Sequence, residues 1–228
     1  MRFSHSRVST FIQCPYKFKL QYLDGAVTIR DPSPDDALIV GNAMHKGIEQ
    51  GTRAALQWYC EQFTVLTDLH IHELMKLELL LPKVQAIIDY DQAVFELELQ
   101  TPDFAGYIDL MLKADDGSAQ IYDFKYSNNM DKYLESAQLH LYKYYLEKVQ
   151  GIPVSRMGYI FIPKTSIRQK KTEDLYQFRR RLTQTLEELA VSVVEVAYDP
   201  QKVAGFFQTI EQIQSASEYP KQPTKLCD

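Results

Sequence analysis

The 228-residue sequence predicts an α/β core with a helical amino-terminal extension, and three observations carry that class. Apolar residues recur at helical spacing through residues 1–91, and the period drops to two between residues 92 and 163. Helical spacing then returns, both between the third and fourth strand-like runs and after the fourth. A strand joined to a later strand through a helix implies a right-handed crossover within one sheet. The chain reads as one unit in three parts: a helical portion over 1–91, a core over 92–163, and a basic stretch with further helices over 164–228.

Taken in order, Ser6 is the expected cap of a helical turn through Val8, Phe11 and Ile12, and Cys14 precedes Pro15, a residue suited to the first position of a second helix. Phe18 and Tyr22 continue that helix. Thr28 to Asp36 carries two prolines and three aspartates without periodicity and reads as a loop. One helix is expected from Ala37 to about Gln62, opening on the small-residue run Gly41-Asn42-Ala43-Met44-His45, and another from His70 to Asp91, interrupted only by Pro82. Val94, Phe95, Leu97 and Leu99 then alternate with acids, Phe104 to Ala114 is a β-rich run, Asp115 to Ser118 is a turn, and Ala119 to Lys125 is a further apolar run. These are three strands of a meander. Asp131 to Val149 is helical, with Leu134, Ala137, Leu141, Tyr145 and Val149 as its buried stripe, and Met157 to Ile162 is a fourth strand ended by Pro163. A helix from about Asp174 to Leu189, a strand within Val191 to Tyr198 and a last helix from Pro200 to about Ser217 complete the order.

A composition of 45% hydrophobic, 24% charged and 12% aromatic residues, with nine Gly and ten Pro, excludes collagen-like, mucin-like and wholly disordered chains. No stretch approaches the roughly 20 apolar residues of a membrane-spanning helix, so no membrane partner is expected. The amino terminus, MRFSHSRVSTFIQCPYKFK, lacks the apolar run of a secretory signal, which points to a cytoplasmic protein. Three scattered cysteines are too few for a disulfide framework there, leaving free thiols or metal ligands. A net charge of −5 and a pI near 5.6 disfavour a protein that coats nucleic acid nonspecifically.

The chemistry is concentrated in two carboxylates. Asp109 lies inside an apolar strand, in Gly106-Tyr107-Ile108-Asp109, and Asp123 lies at the end of the next, in Ile121-Tyr122-Asp123-Phe124-Lys125. Carboxylates in apolar strands are costly to bury unless something pairs with them. Residues two apart in a strand share a face, so Asp123 and Lys125 point where Asp109 could meet them, and a shared divalent cation would satisfy the set. Hard oxygen ligands suit Mg²⁺ or Mn²⁺, and a lysine beside the ion could orient or deprotonate a water while offsetting charge on the reacting phosphate. A surface ion pair at a strand end is the competing account of a bare Asp-x-Lys.

The order Gly41-x-x-x-His45 on a helix, Gly106-x-x-Asp109 on a strand, Asp123-x-Lys125 on the next strand and Gln138-x-x-x-Tyr142 on the following helix resembles the PD-(D/E)XK nuclease superfamily. It resembles in particular the RecB-like branch, which includes nucleases of CRISPR adaptation and phage exonucleases, and Cys14-Pro15-x-x-Phe18-x-x-x-Tyr22 looks like that branch's first motif. The likeness covers nearly the whole chain. It implies a restriction-endonuclease-like core, a mixed central sheet flanked by helices. It also implies roles residue by residue: His45, Asp109 and Asp123 as metal ligands, joined by the backbone carbonyl of Phe124; Lys125 as the catalytic lysine; and Gln138 with Tyr142 holding the lysine, the substrate or the scissile strand. The activity implied is a metal-dependent DNA nuclease, an exonuclease on single-stranded or end-exposed DNA, with a helicase, an integrase or another DNA-processing protein as a partner. A non-catalytic subunit of the same fold that binds DNA ends or joins a complex is the alternative.

Several residues keep two readings. Glu98 could join a second metal, but Glu96 and Glu98 read more simply as the solvated face of an edge strand. Between Phe161 and Leu182, Lys164, Arg168, Lys170, Lys171 and Arg179 to Arg181 outnumber Glu173 and Asp174 by five charges, either as a mobile phosphate-binding arm or as a solvated helix start. RecB-like relatives hold an iron-sulfur cluster with one cysteine at the position of Cys14 and three near the carboxyl end, where only Cys227 matches; two cysteines cannot complete a four-thiolate cluster, and none is expected in this chain. Cys60, beside Trp58 and Tyr59, reads as a small buried hydrophobe.

Overall fold

Local sequence chemistry sets most element boundaries in the computed structural model, which describes residues 1–29 and 32–222. The first helix, α1, runs His5–Gln13, and its cap is Ser4 rather than Ser6: the Ser4 hydroxyl accepts from the Arg7 N–H at 3.2 Å, while Ser6 already lies in the first turn. Cys14 caps the next helix, α2 (Pro15–Phe18), accepting from the Lys17 N–H at 3.2 Å with Pro15 at the first helical position; a π-helical turn over Lys19–Leu23 follows. Cys14 is fully buried, and Cys227 lies outside the described residues.

The expected helix from Ala37 to Gln62 is two helices, α3 (Ala37–Gln50) and α4 (Thr52–Glu61). Between them Gly51 adopts φ +97°, a conformation open to glycine and costly for other residues, and this turns the chain. Cys60 on α4 is a free thiol and is only half-buried, so it is less enclosed than its sequence surroundings suggest. The next helix, α5, spans Asp68–Gln85, where Thr67 and His70 form a reciprocal capping box and Pro82 falls in the last turn. The expected extension to Asp91 is instead a turn leading into the sheet.

The meander is present as β1 (Ala93–Gln100), β2 (Ala105–Lys113) and β3 (Ala119–Tyr126), antiparallel throughout. The single helix expected over Asp131 to Val149 is broken into α6 (Asp131–Leu134), α7 (Gln138–Tyr145) and a π-helical turn over Leu146–Gln150. The break comes at Ser136, whose hydroxyl accepts from the Gln138 N–H at 3.1 Å and so starts a new helix. These helices are the crossover to β4 (Val154–Ile162), which pairs parallel to β3. Helix α8 (Leu175–Glu188), capped by Asp174, then leads to β5 (Ser192–Glu195), antiparallel to β4 and shorter than expected, and to α9 (Pro200–Ser215).

The sheet order is β1-β2-β3-β4-β5, mixed as expected. One face is covered by α1, α7 and α9 through Val8, Leu141, Tyr145 and Phe206, the other by α3, α4, α5 and α8 through Met44, Tyr59, Leu81 and Leu182. Phe3 is buried on the first face and bridges to Phe104, its N–H donating to the Asp103 carbonyl at 2.7 Å, which fixes the amino terminus against the start of β2.

Candidate active site

The site forms where the β1–β2 hairpin departs from regular alternation. Gln100 pairs with Ala105, so the short connection fixes the register, and Phe95 pairs with Leu110 while Leu97 pairs with Ile108. Glu96 therefore stands opposite Asp109. Residues two apart in a regular strand share a face. Here Phe95 and Leu110 pack toward α3 and α5, yet Leu97 and Ile108 pack toward α1 and α7, so both strands change face at Glu96 and Asp109. Glu96 adopts φ +49°, the one non-glycine residue with positive φ among those described. Such a conformation costs about 1–3 kcal/mol and persists where the surroundings over-determine it.

Helix α3 brings His45 to this crossing. Its Nδ1 lies 3.2 Å from Glu96 Oε1 and its Nε2 3.7 Å from Asp109 Oδ2. One donor atom from each of His45, Glu96 and Asp109 falls within 4.8 Å of the others. Asp109 Oδ2 also accepts from the Phe124 backbone N–H at 2.9 Å, which ties β2 to β3, while the Phe124 ring meets the His45 ring edge-on at 5.7 Å. Burial disfavours charge on His45, but the hydrogen bond to Glu96 and the charges of Asp109, Glu96 and Asp123 outweigh it and raise its pKa. Burial, followed by the charge on Asp123, pushes the Asp109 carboxyl up to about 7.

Beside this trio runs a second chain of contacts. Asp123, 1% exposed, has its Oδ2 in contact with the Lys125 ammonium, while its Oδ1 has no partner among the described residues. Lys125 Nζ donates to Gln138 Oε1 at 3.4 Å, and Gln138 Nε2 donates to the Tyr142 hydroxyl at 3.0 Å. One helical turn separates Gln138 from Tyr142, and Gly106 leaves room for the ring, since a Cβ there would stand 2.9 Å from it. Burial opposes charge on Lys125, but Asp123 dominates and raises its pKa. Lys125 is therefore an ammonium here, suited to offset negative charge rather than to take a proton.

All six side-chain positions singled out from sequence converge on this cleft. Two participants were missed. Glu96 and Glu98 are both exposed, as the alternation predicts, with Glu98 accepting from the Tyr107 hydroxyl at 3.0 Å, but Glu96 also reaches the His45 ring. Counting the hairpin register back from the connection would have placed Glu96 against Asp109. The other is His5 on α1, whose Nε2 lies 3.1 Å from the Ser136 hydroxyl that starts α7 and so supports Gln138; no local sequence signal links positions 131 residues apart. The basic stretch is not a free arm. Arg181 binds the Arg168 carbonyl at 2.9 Å and the Glu173 carboxylate at 2.7 Å, Arg179 pairs with Asp68, and Asn128 bonds both backbone groups of Lys164. Lys170 and Lys171 are exposed, and Lys164 and Arg168 line a cavity on the opposite side of β3.

A profile of the PD-(D/E)XK nuclease superfamily matches residues 2–228. The chain belongs to the PD-(D/E)XK nuclease superfamily. Among solved structures, this nuclease is similar to one described as "Putative exonuclease" from Eubacterium rectale, with a TM-score of 0.66 and 13% identity over 99% of this chain and 86% of that one. At that identity the likeness shows the fold. SSO0001 aligns at 14% identity over 90% of this chain and 86% of its own, with a TM-score of 0.32, too low to read a shared fold. No curated protein matches the nuclease. Nucleases of this superfamily use divalent metals, and the donor set here fits one: an imidazole and two carboxylates converge, with a buried carboxylate oxygen on Asp123 that has no partner among the described residues. No helix among the described residues is long and apolar enough to cross a membrane.

Proposed function

We propose that this nuclease hydrolyses phosphodiester bonds in DNA with Mg²⁺ or Mn²⁺, acting on single strands or exposed ends. The observation that carries it is the junction of two groups in one cleft: the His45–Glu96–Asp109 donors and the Asp123–Lys125–Gln138–Tyr142 chain. His45, Asp109 and Asp123, with the Phe124 carbonyl, would hold the cation, and Glu96 would orient the His45 ring through Nδ1. A bound divalent cation would polarise the scissile phosphate and lower the pKa of the attacking water.

The remaining roles fall to the chain's own groups. The Lys125 ammonium, held in place by Asp123 and Gln138, offsets the charge that accumulates on the phosphate oxygens as the bond breaks. Tyr142 fixes Gln138, so the amide presents its oxygen to the lysine rather than turning away. Action at ends is supported by the exonuclease name of the Eubacterium rectale neighbour.

Incubation of the purified chain with end-labelled single- and double-stranded DNA and RNA, with Mn²⁺, with Mg²⁺ and with chelator, tests this function. Metal-dependent shortening of single-stranded DNA from one end is expected. Binding without cleavage under every metal would instead support a DNA-end-binding subunit of the same fold.

A further inference from the structure

Strand β3 ends between two sites. Lys125 faces the catalytic cleft, and the next residue, Tyr126, faces the other side of the sheet, into a cavity of about 580 Å³ between α5, α8 and the segment after β4. Pockets of this size suit a small organic group such as a nucleobase with its sugar. The cavity's walls and mouth differ in character. Tyr126, Phe178 and the His72 ring, which meets Phe178 edge-on at 4.8 Å, give flat aromatic surface. Glu73, 6% exposed, lies deep in the wall, with its Oε1 engaging Lys76. His72 Nε2 is buried without a partner among the described residues. At the rim, Lys164 Nζ stands 4.8 Å over the Tyr126 ring, and Arg168 is exposed.

The wall from Lys164 to Gln169 has no regular structure, yet it is fastened by Asn128 at one end and by Arg181 at Arg168. The cavity is therefore preformed. Aromatic faces, a buried acceptor and cations at the mouth match the three parts of a nucleotide: a base to stack, an exocyclic amine to donate, and a phosphate to pair. We propose that this cavity receives one nucleobase of the substrate strand as it runs past the end of β3, with Glu73 accepting from the base edge and Lys164 and Arg168 holding the adjoining phosphate. This rests on the nuclease function proposed above and adds a base-holding step beside the reacting bond.

The test is an abasic scan. Fluorescein-labelled single strands, each with one abasic residue at a successive position, are titrated against the full chain in Ca²⁺ by anisotropy, in parallel with the four free deoxynucleoside monophosphates. One position is expected to lose affinity roughly tenfold, in line with stacking of a single base. In Tyr126→Leu that penalty should fall below twofold, and in Glu73→Met, which keeps the aromatic faces but offers no acceptor to the base edge, to between two- and fivefold, while strands already abasic at that position bind as they do to the unmodified chain. A flat profile in a chain that cleaves DNA overturns the cavity assignment and leaves the nuclease function standing. A flat profile with saturable binding of free monophosphates also overturns it, in favour of a free-nucleotide site. A chain that neither cleaves nor binds DNA overturns both.

Discussion

Replacing Glu96 by glycine should make the protein more stable without metal and less stable with it. The φ of +49° at Glu96 costs about 1–2 kcal/mol that glycine would not incur, against about 0.5–1 kcal/mol for the extra freedom glycine gives the unfolded chain. The net gain in chelator is about 0–1.5 kcal/mol. Loss of the carboxylate that holds His45 Nδ1 should weaken metal binding about 10- to 100-fold. At a Mn²⁺ concentration of about 100 Kd the parent gains about 2.7 kcal/mol from the ion, whereas the variant gains about 0.4–1.4 kcal/mol. In Mn²⁺ the variant therefore loses its advantage and falls between level with the parent and about 2.3 kcal/mol below it, or roughly 0–9 °C in Tm for a chain of this size. Thermal unfolding in chelator and in Mn²⁺, with Glu96→Gln as the variant that keeps the backbone cost, measures each part. If Glu96→Gly and the parent respond equally to Mn²⁺, Glu96 has no part in the metal centre.

Three further outcomes are expected. Asp123→Asn should abolish cleavage and leave the circular dichroism spectrum unchanged, whereas Lys125→Met, by leaving Asp123 buried and uncompensated, should destabilise the metal-free protein by about 3–5 kcal/mol in denaturant titration. Burial, then the charge of Lys125, lowers the His5 pKa from 6.5 to about 4, so the folded state resists a proton that the unfolded chain accepts. Stability should be full above pH 6.5 and fall by up to about 3 kcal/mol as pH drops toward 4, a slope that His5→Gln should flatten in urea midpoints measured across that range. Binding to single strands without metal should show a shallow salt dependence, because Arg179 and Arg181 are already paired; Lys164→Gln should reduce the slope of log K against log salt by about 0.7, and an unchanged slope would remove Lys164 from the phosphate contacts.

What the sequence made legible follows from the range of the interactions involved. Period-two and helical spacing report burial along one element, so the three meander strands and β4 were placed within a few residues. The breaks at Gly51 and Ser136 were missed because an apolar stripe continues across both, and what divides the helices is a backbone conformation and a hydroxyl accepting from Gln138. The six positions that converge on the cleft were singled out through motif resemblance, which retains spacing, and through the cost of placing Asp109 and Asp123 in apolar strands. Glu96 escaped because exposure along one strand, which the alternation reports correctly, says nothing of the contact with His45 that the face change creates across the hairpin. His5 escaped because its role exists only after the amino-terminal segment has docked against β2 and α7.

The change of face at Glu96 and Asp109 also explains how an acidic site can be held inside a stable sheet. A regular hairpin would send Asp109 toward the apolar packing of one face, where a carboxylate costs several kcal/mol. At the crossing it meets instead the Phe124 N–H and His45, and its raised pKa shows that these do not fully compensate it. Asp123 is balanced by Lys125 on one oxygen only. The fold thus holds incompletely paired carboxylates at a fixed point, stabilised by packing elsewhere in the sheet, and a cation arriving there would find donors that need little rearrangement. For an acidic protein to engage a polyanion, attraction has to be local: under the proposed function it would come from the metal centre and from Lys164 and Arg168 across β3, while the net charge of −5 opposes nonspecific contact.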